Sequence, residues 1–307
     1  MEAANTPKVS VCVVTYNHEK YIRQCLQSIV DQVTDFDFEV IVGEDCSIDG
    51  TRAIVQEFAE KYPGIVKPIF HQKNVGGTQN YFAVHKTAQG EYIAHMDGDD
   101  YALPGKLAIS AETLDLRSDV NVVWHRMEVI DDNAILNEYS QKQLDKLVNS
   151  LSITQDDLLR YGSLGFHSSM MYRRFCLSKI EYNNEELLDY YFAVRFLDSG
   201  FAVNLPKVLG GYRYNIKDDT ASKKKNCFFE FSLVKKLKLL HLKRFSIDYP
   251  ESRQAIFSNS LLNFIADLKN LRPTAFGFAL LSLQLFSLSE LFKFPSYVSR
   301  IIKNRSL

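Results

Sequence analysis

Apolar runs and amphipathic stretches alternate through the first third of the chain. Val9-Ser10-Val11-Cys12-Val13-Val14 is a short β-branched run that stops at Thr15-Tyr16-Asn17. An apolar run of that length, bounded by polar residues, is the pattern of a buried strand. Tyr21, Ile22, Leu26, Ile29 and Val30 follow at helical spacing and predict a helix. Residues 38–43 predict a second strand, after which Asp49 or Thr51 stands where a cap is needed for a helix with Ile54, Val55 and Phe58 on its core face. The same alternation predicts strands over 65–70, 92–96 and 120–124, and a helix over 78–88. Pro104 is expected as the first residue of another helix, where its missing N–H costs nothing. From 126 to 220 the pattern is less regular: a strand is expected at 168–172, a helix at 185–197 and short strands at 202–205 and 209–214.

Strand and helix in this rhythm mean βαβ units, so the expected fold is α/β, with a mainly parallel sheet flanked by helices. Ligands of such sheets bind outside the carboxyl ends of the strands. Polar residues collect at those ends here: Thr15-Tyr16-Asn17 after the first strand, Glu44-Asp45 after the second, and Asp97-Gly98-Asp99-Asp100 after the fourth. Past residue 220 the character changes. Lys223-Lys224-Lys225, Lys235, Lys236, Lys238, Lys243 and Arg244 stand among Phe and Leu. A basic, apolar, helical segment of this kind suits an interfacial helix on an anionic membrane. The alternative is an ordinary amphipathic helix packed on the rest of the chain with its lysines solvated. Three regions are expected: 1–125, 126–220 and a helical extension over 221–307.

Composition narrows the classes. The 307 residues carry 36 Lys+Arg against 37 Asp+Glu, a net charge of -1, which argues against a dedicated nucleic-acid binder. The five cysteines are widely spaced with no C-x-x-C, so a disulfide framework or structural zinc site is not expected. Reduced thiols in a cytoplasmic compartment fit instead. The opening residues lack the apolar core of a secretory signal. Residues 276–291 are apolar but short, and Ser282, Gln284, Ser287, Ser289 and Glu290 interrupt them, so no membrane-spanning helix is expected.

The strand ends carry the candidate chemistry. An apolar strand that ends in Asp97-Gly98-Asp99-Asp100 brings like charges together, and a hard divalent cation, Mg²⁺ or Mn²⁺, would offset that repulsion through oxygen ligands. The alternative is a solvated acidic turn that caps the next helix. Asp45, just past a buried strand, is placed to accept from the donor edge of a nucleobase, unless it forms an Asx turn. Asp49 and Thr51 read as helix capping. Tyr16 can pack on a base while Thr15 and Asn17 hydrogen-bond ribose; the competing reading makes Tyr16 core and Asn17 a helix cap. Neither G-x-G-x-x-G nor G-x-x-x-x-G-K-[ST] follows the first strand, which disfavours a dinucleotide-binding fold and a P-loop enzyme.

Taken together and in this order, VSVCVVTYN, EVIVGEDCSIDGT, NVGG at 74–77 and GEYIAHMDGDD at 90–100 resemble the family 2 glycosyltransferases of the GT-A fold, over about residues 8–215. The resemblance implies a nucleotide-sugar donor, a Mn²⁺ or Mg²⁺ cofactor and an inverting transfer. It implies that Thr15, Tyr16 and Asp45 hold base and ribose, with Asn17, Asn74 and Gly98 in the same donor site. Asn74 and Gly77 read more as loop geometry than as direct contacts. It also implies that Asp97 and Asp99 form the D-x-D pair, with Asp99 the firmer metal ligand. The family's catalytic carboxylate precedes an amphipathic helix; here Leu188-Asp189, followed by Phe192 and Arg195, matches best, so Asp189 is the candidate base, with Glu185 and Glu186 as alternatives. His167 is a candidate for lining the acceptor pocket or a structural histidine, and Arg213 in Tyr212-Arg213-Tyr214-Asn215 reaches a phosphate or is structural.

The first hundred residues look like bacterial enzymes that build O-antigen or capsule repeat units. That implies a UDP-sugar, transfer of a hexose or N-acetylhexosamine with β-linkage, and a saccharide acceptor carried on undecaprenyl diphosphate at the cytoplasmic face of the membrane. Two rival readings are transfer to polyprenyl phosphate itself and a non-catalytic nucleotide-binding scaffold of a polysaccharide assembly.

Overall fold

The computed structural model describes residues 6–130, 152–155, 157–158, 164–180 and 189–214. The chain divides into two compact units, 1–158 with 163–216, and 159–162 with 217–307. The second falls outside the described residues, as does the basic segment after 220 that is expected to be helical.

The first unit is built on one eight-stranded sheet in the order β3-β2-β1-β4-β7-β6-β8-β5. Its strands are β1 (Val9–Thr15), β2 (Phe38–Glu44), β3 (Val66–Phe70), β4 (Tyr92–Asp97), β5 (Tyr101–Ala102), β6 (Val120–Ile130), β7 (Met171–Arg173) and β8 (Phe201–Arg213). The helices are α1 (Ile22–Val30), α2 (Thr51–Lys61), α3 (Gly77–Thr87), α4 (Lys106–Leu116) and α5 (Asp189–Phe196). The expected α/β fold with a mixed sheet is therefore present. β3, β2, β1 and β4 run parallel, β7 is antiparallel to both β4 and β6, β8 runs parallel to β6, and β5 pairs antiparallel with β8.

The parallel half follows from sequence. β1 and β2 are buried on both faces, which is why they read as continuous apolar runs rather than alternating ones. α1 buries Ile22, Cys25, Leu26 and Ile29, and α2 buries Thr51, Val55 and Phe58, the stripes that the spacing predicts. Register sets the ends flush: Thr15 pairs with Glu44, and Val14 with Asp97. The polar residues of three strand ends are thus brought to one edge of the sheet.

Several elements differ from expectation. Pro104 precedes α4 rather than opening it, because Gly105, at φ +87, turns the chain in the left-handed region before Lys106. The strand expected at 168–172 splits into a 3-10 turn, His167–Ser169, and β7. The two short strands expected at 202–205 and 209–214 are one strand, β8, whose register against β6 slips near His125 and Arg126. β6 runs on to Ile130, past its expected end, because β8 stays paired with it.

At the opposite end of β1 and β2, away from those loops, Glu39 is buried in a sheet-spanning network. It accepts from Ser10 Oγ at 2.6 Å, Gln89 N–H at 2.9 Å and Lys67 Nζ at 2.7 Å. Burial would raise its carboxyl, but these donors outweigh it and hold the group below its ordinary value of 4.5. A depressed folded value contributes stability above the unfolded value and loses it as pH falls through the folded one. Glu39→Gln is expected to lose about 1 kcal/mol at neutral pH, with the gap from wild type constant above about pH 5 and closing below 4.5. Urea unfolding at several pH values checks it; a gap that widens in acid contradicts the assignment.

Candidate active site

The loops after β1 and β2 zip together. Asn17, in the left-handed region at φ +56, donates its N–H to Ser47 Oγ at 3.0 Å and accepts from Ile48 N–H on Oδ1 at 3.0 Å. His18 N–H donates to Thr51 Oγ1 at 2.8 Å, and Glu19 N–H to Asp49 Oδ2 at 3.1 Å. Asp49 Oδ1 accepts from Thr51 N–H at 3.0 Å in an Asx turn, but the capping position of α2 is Gly50, with no side-chain cap bond, so neither Asp49 nor Thr51 is the expected cap. Asn17 is a bridge between loops and not the cap of α1, whose capping position is Tyr21. Tyr16 is 40% exposed, so it is a presented ring rather than core. Thr15 is buried, 3.2 Å from His18 Nδ1 through its hydroxyl.

Asp45 is buried and its carboxylate grips the next loop. Oδ1 accepts from Val75 N–H at 2.7 Å and Oδ2 from Gly76 N–H at 3.0 Å, while Asn74 Nδ2 donates to the Asp45 carbonyl at 3.2 Å. Gly76, at φ +89, supplies the left-handed turn that aims both N–H groups at it. Asp45 therefore ties the 74–76 loop to the end of β2, and Asn74 acts with it. Each oxygen keeps a second lone pair for a ligand. Glu44, the other strand-end acid, is fully buried beside it, accepting from Ser47 N–H at 2.6 Å and from Arg52 Nε at 2.5 Å.

The 97–100 segment sits where the strand ends meet. Gly98 N–H donates to the Val14 carbonyl at 2.9 Å, and a Cβ at Gly98 would lie 2.6 Å from Thr15 Oγ1, so only glycine lets this turn lie against β1. Asp97 Oδ1 lies 3.1 Å from His95 Nε2, and Oδ2 accepts from Ser168 Oγ at 3.2 Å. Burial would raise the Asp97 carboxyl, but His95, His167 and Ser168 together hold it well below the usual range. Asp99 is pushed up by burial and by the neighbouring Asp97 charge, with His18 and Arg213 pulling the other way. Asp100 is pushed up further by burial and by Asp99 and Asp97; its Oδ1 accepts from Arg213 N–H at 2.8 Å, and its Oδ2 is buried without a partner. Lys106 is the buried cation beneath this cluster, donating to the Ser168 carbonyl at 2.5 Å and pushed down to about 8 by its own burial.

Behind Asp97 lies a stack of rings. His167 lies 3.7 Å from His95, ring centre to ring centre, and Tyr81 stacks on His85 at 3.6 Å and on Phe192 at 4.4 Å. His95, Asp97 and His167 each present a ligand atom, all within 4.8 Å of one another. Asp99 is not a member of that trio. His167 Nε2 is buried with no partner, and burial pushes the ring down to about 3, so it is neutral. The expected acceptor-side histidine therefore stands against the first aspartate of the D-x-D pair.

Arg213 ends β8 beside Asp100. Its guanidinium lies over Tyr21 at 4.7 Å and Tyr101 at 5.8 Å and hydrogen-bonds Gln24, while Nε is buried without a partner. Asp189 opens α5. One turn later Phe192 joins the ring stack, and Arg195 donates to the Lys179 carbonyl at 2.9 Å through Nε, so this helix is anchored to the ring stack behind Asp97. Glu185 and Glu186 lie outside the described residues.

The pattern of Glycosyl transferase family 2 matches residues 10–180, from β1 through the turn after β7. The chain belongs to glycosyl transferase family 2. An uncharacterised protein of Mycobacterium tuberculosis is 33% identical to this family 2 chain over 209 residues, 67% of the chain and 58% of that protein, so the match spans a little over half of that relative's length. Bacillus subtilis EpsE is 27% identical over 72% of the chain and 77% of its own length. Among solved structures, Staphylococcus aureus TarS 1-349 in complex with UDP-GlcNAc has a TM-score of 0.62 at 23% identity, covering 81% of the chain and 70% of TarS 1-349. The Pyrobaculum calidifontis mannosyltransferase PcManGT, in complex with GDP-Man and Mn²⁺, has a TM-score of 0.64 at 18% identity, covering 97% of the chain and 81% of its own. These likenesses show the fold, which is GT-A.

Within this family 2 domain the strand ends place Thr15, Asp45, Gly98 and the 97–100 carboxylates on one edge of the sheet, as expected, and bring Arg213 and His167 to them from distant sequence. Sequence reading placed Glu44 at a strand end without giving it a role, and missed His95, Ser168 and Lys106. Burial alone marks them, and a charged residue in a helix or a histidine in an apolar strand carries no pattern that announces it.

Proposed function

We propose that this protein is an inverting glycosyltransferase that moves a hexose or N-acetylhexosamine from a UDP-sugar to a saccharide acceptor. The observation that carries the reading is the carboxylate cluster at the carboxyl end of β4: two acids pushed up by burial and mutual repulsion, one with an orphaned buried oxygen, flush with the exposed Tyr16 and the Asp45 loop. Oxygen-rich and crowded with like charge, that donor set fits a hard divalent cation. Asp97 and Asp99 would hold Mn²⁺ or Mg²⁺, which when bound neutralises charge on a departing diphosphate. The complexes of TarS with UDP-GlcNAc and of PcManGT with GDP-Man and Mn²⁺ support a metal-bound nucleotide sugar as donor.

The chain's own groups divide the remaining work. Tyr16 stacks on the base, Thr15 and Asn17 face the ribose, and Asp45 accepts from the base through its free lone pairs while Asn74 holds its loop. Arg213 and His167 stand toward the leaving group and the acceptor side. Asp189 takes the proton of the acceptor hydroxyl as the new bond forms, since a sugar hydroxyl is a poor nucleophile at neutral pH. One carboxylate is sufficient for a single inverting displacement. The acceptor is a lipid-linked saccharide of O-antigen or capsule type, with the segment after 220 resting on the cytoplasmic face of the membrane. Similarity to a Bacillus subtilis protein named for teichuronic acid biosynthesis, 30% identical over 168 residues, supports a surface polysaccharide. Among the described residues no helix is long and apolar enough to cross a membrane. In this scheme 1–125 forms the donor half and 126–220 the acceptor half.

Calorimetric titration of UDP and GDP, with and without Mn²⁺, tests the donor. Metal-dependent binding of UDP in preference to GDP is expected. Equal binding without metal, or preference for GDP, overturns the donor and metal assignment.

A further inference from the structure

Three buried polar groups behind the D-x-D turn form an unbroken line to the partly exposed Asp97 carboxylate. Tyr172 on β7 places its hydroxyl 2.6 Å from His85 Nδ1 on α3. His85 Nε2 lies 2.9 Å from His95 Nδ1 on β4, and His95 Nε2 lies 3.1 Å from Asp97 Oδ1. His85, His95 and Tyr172 are fully buried, so the bonds among them do not compete with water. The Tyr81 hydroxyl stands 3.5 Å behind Tyr172.

The direction of every bond follows from the last one. An ionised carboxylate only accepts, so His95 Nε2 carries the proton. With a single proton on the His95 ring, Nδ1 is bare and His85 Nε2, 2.9 Å away, is the donor between them. His85 Nδ1 is then bare in turn and accepts from the Tyr172 hydroxyl. Burial and the nearby His95 and His167 hold His85 well below its ordinary range, which keeps that ring neutral. We propose that Tyr172, His85 and His95 form a one-way hydrogen-bond chain that fixes the orientation of the Asp97 carboxylate, with His95 as its positioning residue. Ser168 Oγ holds the other oxygen, so donors from two separate elements pin both ends of the carboxylate and leave its outer lone pairs for a ligand. The proposal rests on the reading of Asp97 as part of the donor and metal site, but the chain itself is testable without that reading.

The first experiment needs neither donor nor metal. Long-range proton–nitrogen correlation spectra of ¹⁵N-histidine-labelled protein, assigned by loss of signals in His85→Gln and His95→Gln, report which ring nitrogen carries hydrogen. Both rings are expected as the Nε2–H form at neutral pH. His95 found as the Nδ1–H form, or protonated on both nitrogens, overturns the chain. The second experiment reads positioning through the ratio of UDP affinity with Mn²⁺ to that without. His95→Leu removes the donor and is expected to cut that ratio about 10–100-fold, the usual loss when an outer partner of a metal-binding carboxylate is removed. His95→Gln, whose amide nitrogen can reach the Nε2 position, is expected to restore most of it. His85→Leu and Tyr172→Phe should give successively smaller losses. A ratio unchanged in His95→Leu, or equally reduced in His95→Gln, shows that His95 only packs. If wild-type protein shows no metal-dependent UDP binding, the donor reading fails, while the tautomer spectra still decide the chain.

Discussion

An Asp99→Ala variant is expected to lose Mn²⁺-dependent UDP binding and to transfer sugar about 100–1,000-fold more slowly than wild type, while melting at the same temperature or higher. The two halves of that result have one cause. Asp99 is pushed up by burial and by Asp97, so the folded apo protein holds a carboxyl whose charge its surroundings oppose. A bound divalent cation would offset that repulsion directly. Removing the side chain relieves repulsion within the 97–100 cluster and costs no hydrogen-bonded network, since the bonds that fix the turn belong to Gly98 N–H, Asp100 N–H and the Asp97 carboxylate. A structural acidic turn would behave the other way, losing stability and keeping metal-dependent binding. Calorimetry with UDP and Mn²⁺, alongside differential scanning calorimetry of the apo protein, separates the two. Excess chelator on wild-type protein should reproduce the loss of binding, and addition of Mn²⁺ should reverse it.

Asp189→Asn is expected to lower kcat about 100–10,000-fold, the range that a positioned general base supplies, with UDP binding unchanged. The asparagine keeps size and polarity but cannot take a proton. Phe192 in the ring stack and Arg195 on the Lys179 carbonyl anchor α5, so the helix should stay in place. Glu185→Gln and Glu186→Gln are the controls, and both should retain activity. A fully active Asp189→Asn removes Asp189 as base; loss of activity in one control instead moves the role to that residue. Pre-steady-state transfer with a saturating UDP-sugar reads the chemical step directly.

Thr15-Tyr16-Asn17, Glu44-Asp45 and Asp97-Gly98-Asp99-Asp100 were legible as a set because a parallel α/β sheet forces strand ends together, and apolar runs mark where strands end. Their local roles were less legible. Asn17 has the residue type of a helix cap, yet it adopts a left-handed conformation and bridges to Ile48, because the β2–α2 loop lies within reach only in the folded sheet. Asp45 is equally suited by type to an Asx turn or a ligand, and it instead grips the N–H groups of Val75 and Gly76, some thirty positions on.

Sequence by itself determined the parallel half of the sheet, the strand-end cluster and membership of the family, because local periodicity and a few short motifs encode them. Tertiary structure decided what stands behind that cluster. His85, His95, Ser168, Tyr172 and Lys106 come from α3, β4, the turn before β7, β7 and α4, and no spacing relates them. They meet because β7 inserts antiparallel between β4 and β6, a pairing that side-chain patterns of such short strands leave open, and because once buried together each polar group must find a partner among the others.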